Sequence, residues 1–269
     1  MSKLRRLIEA LKSPKLLPVD HIVNVDKAFD DKVALVSGGT GGIGLAIAKL
    51  LIQSGCRTII AGTNLKKLND IHNELDVPTV VLDYAKPDTI ETTINETINI
   101  YGHIDIFISS AGVHTENVDF WSMTPDEFER VMKINLEGTF FACQAIGKYM
   151  KENKIHGNIL LISSSRGSEP AWSPYGISKW GMKGLTEGVA QMLSPYGINV
   201  NAIAPGTTAT GLVGYKQGDN IYCDDNRFHR LVLPDEVANL ARFLVSDGAQ
   251  MISGDTVHIS GGRGTFDIR

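Results

Sequence analysis

The chain has 269 residues, 43% hydrophobic and 21% charged, with a net charge of −4. A single α/β domain reaches about this size and needs no disulfide or metal staple to bury its core. The slightly acidic balance argues against a dedicated nucleic-acid binder, which carries a basic domain, and the ordinary apolar content argues against disorder.

Residues 1–30 stand apart as an extension. Leu4, Leu7, Ile8 and Leu11 mark one apolar stripe of a short amphipathic helix, with Lys3, Arg5, Arg6 and Lys12 off the stripe and Pro14 and Pro18 ending it. This helix is expected to dock on its own domain or a sister subunit rather than on a membrane surface. The start lacks the apolar core of a secretory signal, and no apolar run approaches the ~20 residues of a membrane span. Cys56, Cys143 and Cys223 are scattered, with no CxxC, which suits a reducing compartment. These features predict a cytoplasmic protein with no membrane span.

Residues 31–269 read as one domain. Short β-branched runs are predicted as strands at 32–37, 57–62, 79–84, 104–112, 158–165, 198–205 and 255–262. Helical stretches lie between them at 44–55, 65–75, 87–101, 125–152, 174–195 and 234–247. Strands alternating with helices of this length make βαβ units and a mainly parallel, doubly wound α/β sheet. The strand runs are apolar without alternation, as strands covered on both faces should be.

Gly38, Gly39, Thr40, Gly41, Gly42, Ile43 and Gly44 follow the first strand and open a helix. Glycines let the backbone turn sharply and approach a pyrophosphate, and the helix N-terminus offers free N–H groups to the anion. Both GxGxxG from Gly39 and GxxxGxG from Gly38 fit, and either predicts a dinucleotide site. No Gly-Lys-Ser/Thr follows, which disfavours a phosphate-loop NTPase. The second strand ends Ala61-Gly62-Thr63-Asn64, without the acid that would bind the ribose 2′-hydroxyl of NAD. The charge argument therefore favours NADP(H), with NAD(H) as the alternative. Lys66 and Lys67 are near enough in sequence to help, or lie on a solvated helix face.

Tyr175 and Lys179 are spaced i, i+4 on one helix face beyond the fifth strand. A free phenol has a pKa near 10, and an ammonium about 4–5 Å away supplies roughly the 3–4 kcal/mol needed to bring it toward neutrality. The pair can serve as a proton donor and acceptor. The seven histidines show no ligand spacing, so no metal is expected, and the absence of a GxSxG elbow removes a serine hydrolase.

The series SGGTGGIG (37–44), Asp83, SSAG (109–112), Asn135, ISSS (162–165), YGISK (175–179) and NAIAPGTTAT (201–210) resembles the short-chain dehydrogenase/reductase family over residues 31–264. The tail 234–262 is similar to 3-oxoacyl-[acyl-carrier-protein] reductases and to their sugar, polyol and steroid dehydrogenase relatives. The resemblance implies a Rossmann-type fold and hydride transfer between NAD(P) and a carbonyl or secondary alcohol.

It also implies roles. Tyr175 is the acid/base, Lys179 lowers its pKa and holds the nicotinamide ribose, and Asn135 holds a water in a proton relay. Ser164 best matches the substrate-orienting serine, with Ser163 and Ser165 as alternatives. Asp83 and Tyr84 match the adenine contact. Ser110, Ala111 and Gly112 line the cofactor, and Pro205, Gly206 and Thr208 cover the carboxamide. The family's usual Asn-Asn-Ala-Gly is here Ser109-Ser110-Ala111-Gly112, which is expected to weaken support beneath the nicotinamide. The short loop before Tyr175 carries Arg166, Glu169 and Trp172; an Arg and a Trp beside the reacting carbon suit a substrate with an anionic or planar part, or serve surface pairing and packing. Residues 207–233 are expected to cover the substrate pocket, with Asp219, Asp224 and Asp225 making it polar. A homotetramer or dimer is implied, with the 125–152 and 174–195 helices at the interface. The rival from another class is a dinucleotide-binding scaffold or sensor without turnover.

Overall fold

The computed structural model describes residues 29–216 and 218–265. Seven strands form one sheet: β1 (Val33–Ser37), β2 (Arg57–Gly62), β3 (Thr79–Val81), β4 (Ile106–Ser109), β5 (Asn158–Ile162), β6 (Asn199–Pro205) and β7 (Thr256–Ile259). Their order is β3-β2-β1-β4-β5-β6-β7, and every neighbouring pair is parallel. The chain winds outward one way from β1 to β3 and the other way from β4 to β7. The crevice for a ligand therefore opens where β1 meets β4, at the carboxyl ends.

The helices are α1 (Gly42–Gln53), α2 (Leu65–Leu75), α3 (Pro87–Tyr101), α4 (Pro125–Met132), α5 (Gly138–Glu152), α6 (Pro174–Leu193) and α7 (Pro234–Leu244). Residues Val33 and Leu35 of β1 face a core layer shared with α3, α5 and α6. Ala34 and Val36 face the opposite layer with α1, α2 and α7. Burial on both faces is why VALVS shows no polar alternation.

Several boundaries differ from the sequence reading. The expected strand 79–84 stops at Val81, so Asp83 and Tyr84 sit in the loop beyond it. The expected helix 125–152 is two helices joined by a π-helical turn, Lys133–Glu137, that carries Asn135. The two periodicities are too close to separate by apolar spacing alone. Ser163–Ser165 leave β5 and enter a short 3-10 turn over Ser165–Ser168. The amphipathic helix expected in the N-terminal extension falls outside the described residues. Phe29, at the end of that extension, is 3% exposed and packs into the α1/α2/α7 layer. Among the described residues, no helix is long and apolar enough to cross a membrane.

Candidate active site

The glycine loop lies between the end of β1 and the first turn of α1. Gly38 has φ +65°, and a Cβ there would stand 2.6 Å from the Ser110 carbonyl carbon and the Ala111 nitrogen. Any side chain would push the loop off β4. A Cβ on Gly44 would stand 2.4 Å from the Gly38 carbonyl oxygen, so Gly44 closes the turn rather than lining the cleft. No acidic residue occupies the first turn of α1, which leaves its positive dipole end uncompensated.

A cleft of about 570 Å³ runs from this loop across the sheet edge. It is lined by Gly38, Thr40, Gly41, Gly42 and Ile43 at the helix end, and by Thr63, Asp83 and Tyr84 toward β2 and β3. Ser110, Ala111, Gly112, Tyr175 and Lys179 line the end at β4 and α6. Lys67, the nearer of the two lysines weighed from sequence, also lines it; Lys66 does not. Asn64, just past the end of β2, caps α2: its side chain accepts the Lys67 N–H at 3.0 Å.

Tyr84 reaches the cleft, yet its phenol turns into the core. Its hydroxyl lies 2.8 Å from Ser37 Oγ and 3.0 Å from Ser109 Oγ. This buried Ser–Tyr–Ser chain supplies support at Ser109, where weaker support was expected, and burial drives the phenol pKa upward.

Ser173 caps α6 by accepting the Gly176 N–H, and Pro174 occupies the first turn, so Tyr175 projects from a fixed helix start. Of the three candidate serines, Ser164 is the one whose hydroxyl pulls the Tyr175 phenol pKa down. Ser164 Oγ accepts the Arg166 N–H at 3.2 Å, so its own proton can be given to the Tyr175 oxygen or to a substrate oxygen in the cavity. Ser163 Oγ instead donates to the Lys179 carbonyl at 3.4 Å, and Ser165 is buried. Burial raises the Tyr175 pKa, while the Ser164 hydroxyl and the charges of Arg166 and Arg263 pull it down, with a net rise.

Lys179 is 4% exposed; its Nζ lies 5.6 Å from the Tyr175 ring centroid and donates to the Ile162 carbonyl at 3.0 Å. Burial pushes its pKa down to about 8. The charges that pull the phenol pKa down are those of Arg166 and Arg263. Asn135 is buried behind both: its Oδ1 accepts the Val113 N–H at 2.8 Å, and its Nδ2 donates to the Val113 carbonyl at 2.9 Å and to Ser178 Oγ at 3.2 Å.

A second cavity of about 260 Å³ adjoins the cleft at Tyr175 and Ser163. Ser164, Arg166, Pro205, Gly206, Thr208, Asp225 and Arg263 are in its wall. Pro205, Gly206 and Thr208 therefore face this cavity rather than the cleft, and the Thr208 hydroxyl donates to the Gly206 carbonyl. Trp172 does not line it, nor do Asp219 and Asp224, whose carboxylates serve their own loop. Sequence reasoning missed two residues here. His114 stacks on Tyr175, and Arg263 bonds Glu169, Thr207 and Asp225. The His114 signal was its place two residues after the SSAG segment; Arg263 gave no local signal. Among the described residues, no group of His, Cys, Asp and Glu could hold a metal.

The family model described as enoyl-(acyl carrier protein) reductase matches residues 38–263. A 3-oxoacyl-[acyl-carrier-protein] reductase of Aquifex aeolicus is 33% identical over 86% of this chain and 96% of its own. A 3alpha-hydroxysteroid dehydrogenase of Mediterraneibacter gnavus is 31% identical, with the same coverage of both chains. A solved short chain dehydrogenase/reductase family protein superposes with a TM-score of 0.79 at 26% identity, covering 89% of this chain and 100% of that one. With the parallel seven-stranded sheet, these similarities show that the chain belongs to the short-chain dehydrogenase/reductase family of oxidoreductases.

Proposed function

We propose that the protein interconverts a carbonyl and a secondary alcohol with a nicotinamide dinucleotide, using Tyr175 as proton donor and acceptor. The observation that carries this reading is the meeting of Tyr175, Ser164 and Lys179 where the long cleft joins the smaller cavity. The cleft fits such a cofactor: the glycine-rich loop and the N-terminus of α1, with no acid in its first turn, suit a pyrophosphate. Asp83 suits the adenine, and Lys179 the ribose hydroxyls. A bound, reduced nicotinamide would supply the hydride. Thr63 and Lys67 at the far end put a hydroxyl and a cation, and no acid, where a 2′-phosphate would lie, which favours NADP(H) over NAD(H).

The residues divide the proton work. With substrate bound, Ser164 donates its hydroxyl hydrogen to the carbonyl oxygen and polarises it. Tyr175 transfers its phenolic proton to the same oxygen. Lys179 Nζ, with its pKa near 8, can return a proton to the phenolate close to neutral pH. Asn135 holds residues 113 and 178 in place around that ammonium and, in the family's manner, links it to solvent through water.

The relatives' names span 3-oxoacyl and steroid substrates, but Arg166, Arg263 and Asp225 in the cavity wall favour a small polar one. Exposed Phe128, Phe140, Phe141 and Trp180 on α4, α5 and α6 support assembly through those helices as a tetramer or dimer. The free cysteines and the absence of a membrane-spanning helix among the described residues support a cytoplasmic setting. The test is consumption of NADPH and NADH with a panel of keto-sugars, small diketones and acetoacetyl thioesters. Cofactor binding without consumption on any of them would favour a scaffold or sensor.

A further inference from the structure

Two arginines face the second cavity, and they are held in opposite ways. Arg263 has a side chain only 18% exposed, and every guanidinium nitrogen is engaged. Nε and Nη2 lie on Glu169 at 2.7 and 3.4 Å, and Nη1 on Asp225 at 2.5 Å and on Thr207 at 3.0 Å. It is a clamp joining the turn after β7, the loop after Ser164 and the loop after β6.

Arg166 has a side chain 44% exposed, and only Nη1 is engaged among the described residues, at 2.8 Å from Glu169 Oε2. Its backbone N–H fixes Ser164 Oγ, so guanidinium and hydroxyl belong to one rigid turn. Glu169 is shared with Arg263, whose other side is balanced by Asp225, so half a carboxylate faces the Arg166 charge. Both guanidiniums also pull the Tyr175 phenol pKa down.

We infer that the free donors of Arg166 are the anchor for an oxyanion of the substrate, so that the protein acts on a small carbonyl compound bearing a carboxylate or a phosphate ester. A guanidinium presents a planar fork that matches both groups in a bidentate manner. The cavity of about 260 Å³ admits a compact molecule. This rests on the reading of Tyr175 and Ser164 as the groups that meet the carbonyl oxygen. The clamp at Arg263 makes Arg166 the specificity-determining residue and Glu169 its positioning residue.

The test compares kcat/KM for matched pairs: acetoacetate against methyl acetoacetate, and dihydroxyacetone phosphate against dihydroxyacetone. A charge-assisted pair is worth about 10- to 100-fold, so the wild type should prefer the anionic member of at least one pair by ~10-fold or more. The pair showing the preference tells carboxylate from phosphate. Arg166→Gln should bring that ratio to about one, and Arg166→Lys should leave part of it. Equal use of both members by the wild type would overturn the inference and point to a neutral hydroxylated substrate. A ratio unchanged in Arg166→Gln would also overturn it. If no compound is reduced with either cofactor, the carbonyl reading fails, and the anchor is judged by thermal shift with NADP⁺ present. A shift by the anionic member alone, lost in Arg166→Gln, would support the anchor; no difference between the members would end it.

Discussion

The imidazole of His114 stacks on the phenol ring of Tyr175, with centroids 4.2 Å apart and planes 20° from parallel. The backbone beneath it is held by Asn135 at Val113 and by Arg130 at the His114 carbonyl. The stack therefore fixes the ring face of the acid/base from a rigid segment. Aromatic pairs contribute about 0.5–1.5 kcal/mol beyond burial. If that energy holds the phenol in its reactive orientation, His114→Ala should lower kcat/KM by roughly 2- to 12-fold, and His114→Phe should recover most of it. NADPH affinity should hold steady, because His114 lines the smaller cavity and not the cleft. Equal loss in both variants would show that the ring nitrogens, not the stack, matter.

The Ser37–Tyr84–Ser109 chain makes a stability claim. Tyr84→Phe removes one hydroxyl and strands two buried serines. An unsatisfied buried polar group costs about 1–3 kcal/mol, so urea unfolding should show a loss of that size with the slope unchanged. Adding Ser37→Ala and Ser109→Ala should recover part of the loss, because nothing polar is then left unpaired. A triple variant less stable than Tyr84→Phe would mean that the serines contribute chiefly through packing.

The features legible in the sequence are those enforced locally. The glycine loop could be read because its backbone tolerates no Cβ at Gly38 or Gly44, a constraint written in consecutive residues. Tyr175 and Lys179 could be read from i, i+4 spacing within α6. Ser164 was left among three serines, because only the fold shows which hydroxyl acts on the Tyr175 phenol. The Arg263 clamp spans 94 residues to Glu169, the phenol of Tyr84 spans 47 to Ser37, and no periodicity encodes such pairings. Asn64 reads equally well as a ligand contact or a helix cap, and α2 uses it as the cap.

Cofactor choice should turn on Thr63 and Lys67. Thr63→Asp puts a negative charge at the end of the cleft and should raise the Kd for NADPH at least ~10-fold while sparing NADH. Lys67→Ala should weaken NADPH alone, by less, with a deficit that shrinks as salt rises, since an exposed cation is screened. If both cofactors weakened equally in Lys67→Ala, the lysine would be serving α2 rather than a 2′-phosphate.

Lys179 sets a pH dependence of stability whose sign can be worked out. Its pKa is about 8 folded and near 10.5 unfolded, so between these values the unfolded chain binds more protons and stability rises with pH. Below pH 8 both states are charged, and the fold carries a buried ammonium at a penalty of order 3 kcal/mol. Lys179→Met should remove this dependence. It should also stabilise the cofactor-free protein at pH 7 by about 1–3 kcal/mol, less what the orphaned Ile162 carbonyl takes back. Turnover and cofactor affinity should both fall. Differential scanning between pH 7 and 10.5 decides it: a variant no more stable than wild type at pH 7 would show that the buried amine carries no such penalty.

The last expectation concerns the proton itself. Burial holds the Tyr175 phenol protonated at neutral pH, which suits it to donate in the reductive direction, while the Ser164 hydroxyl and the two guanidiniums ease its release. Tyr175→Phe keeps the ring, the His114 stack and the cleft wall, and removes only the exchangeable proton. A positioned acid of this kind contributes about 10²–10⁴-fold, so kcat should drop by at least that range with NADPH affinity near the wild-type value. Ser164→Ala should also lower kcat, because it removes both the polarising donor and one of the influences that lower the phenol pKa. The acidic group seen in the pH–rate profile should then titrate higher. Ser163→Ala and Ser165→Ala should lower kcat less, since the Ser163 hydroxyl is spent on the Lys179 carbonyl and neither serine acts on the Tyr175 phenol. Arg166→Gln should shift the same titration upward even on a neutral substrate. Near-wild-type turnover by Tyr175→Phe on a carbonyl that the wild type reduces well would remove Tyr175 as the donor. An unmoved titration in Ser164→Ala would instead keep Tyr175 and assign its tuning to the guanidiniums alone.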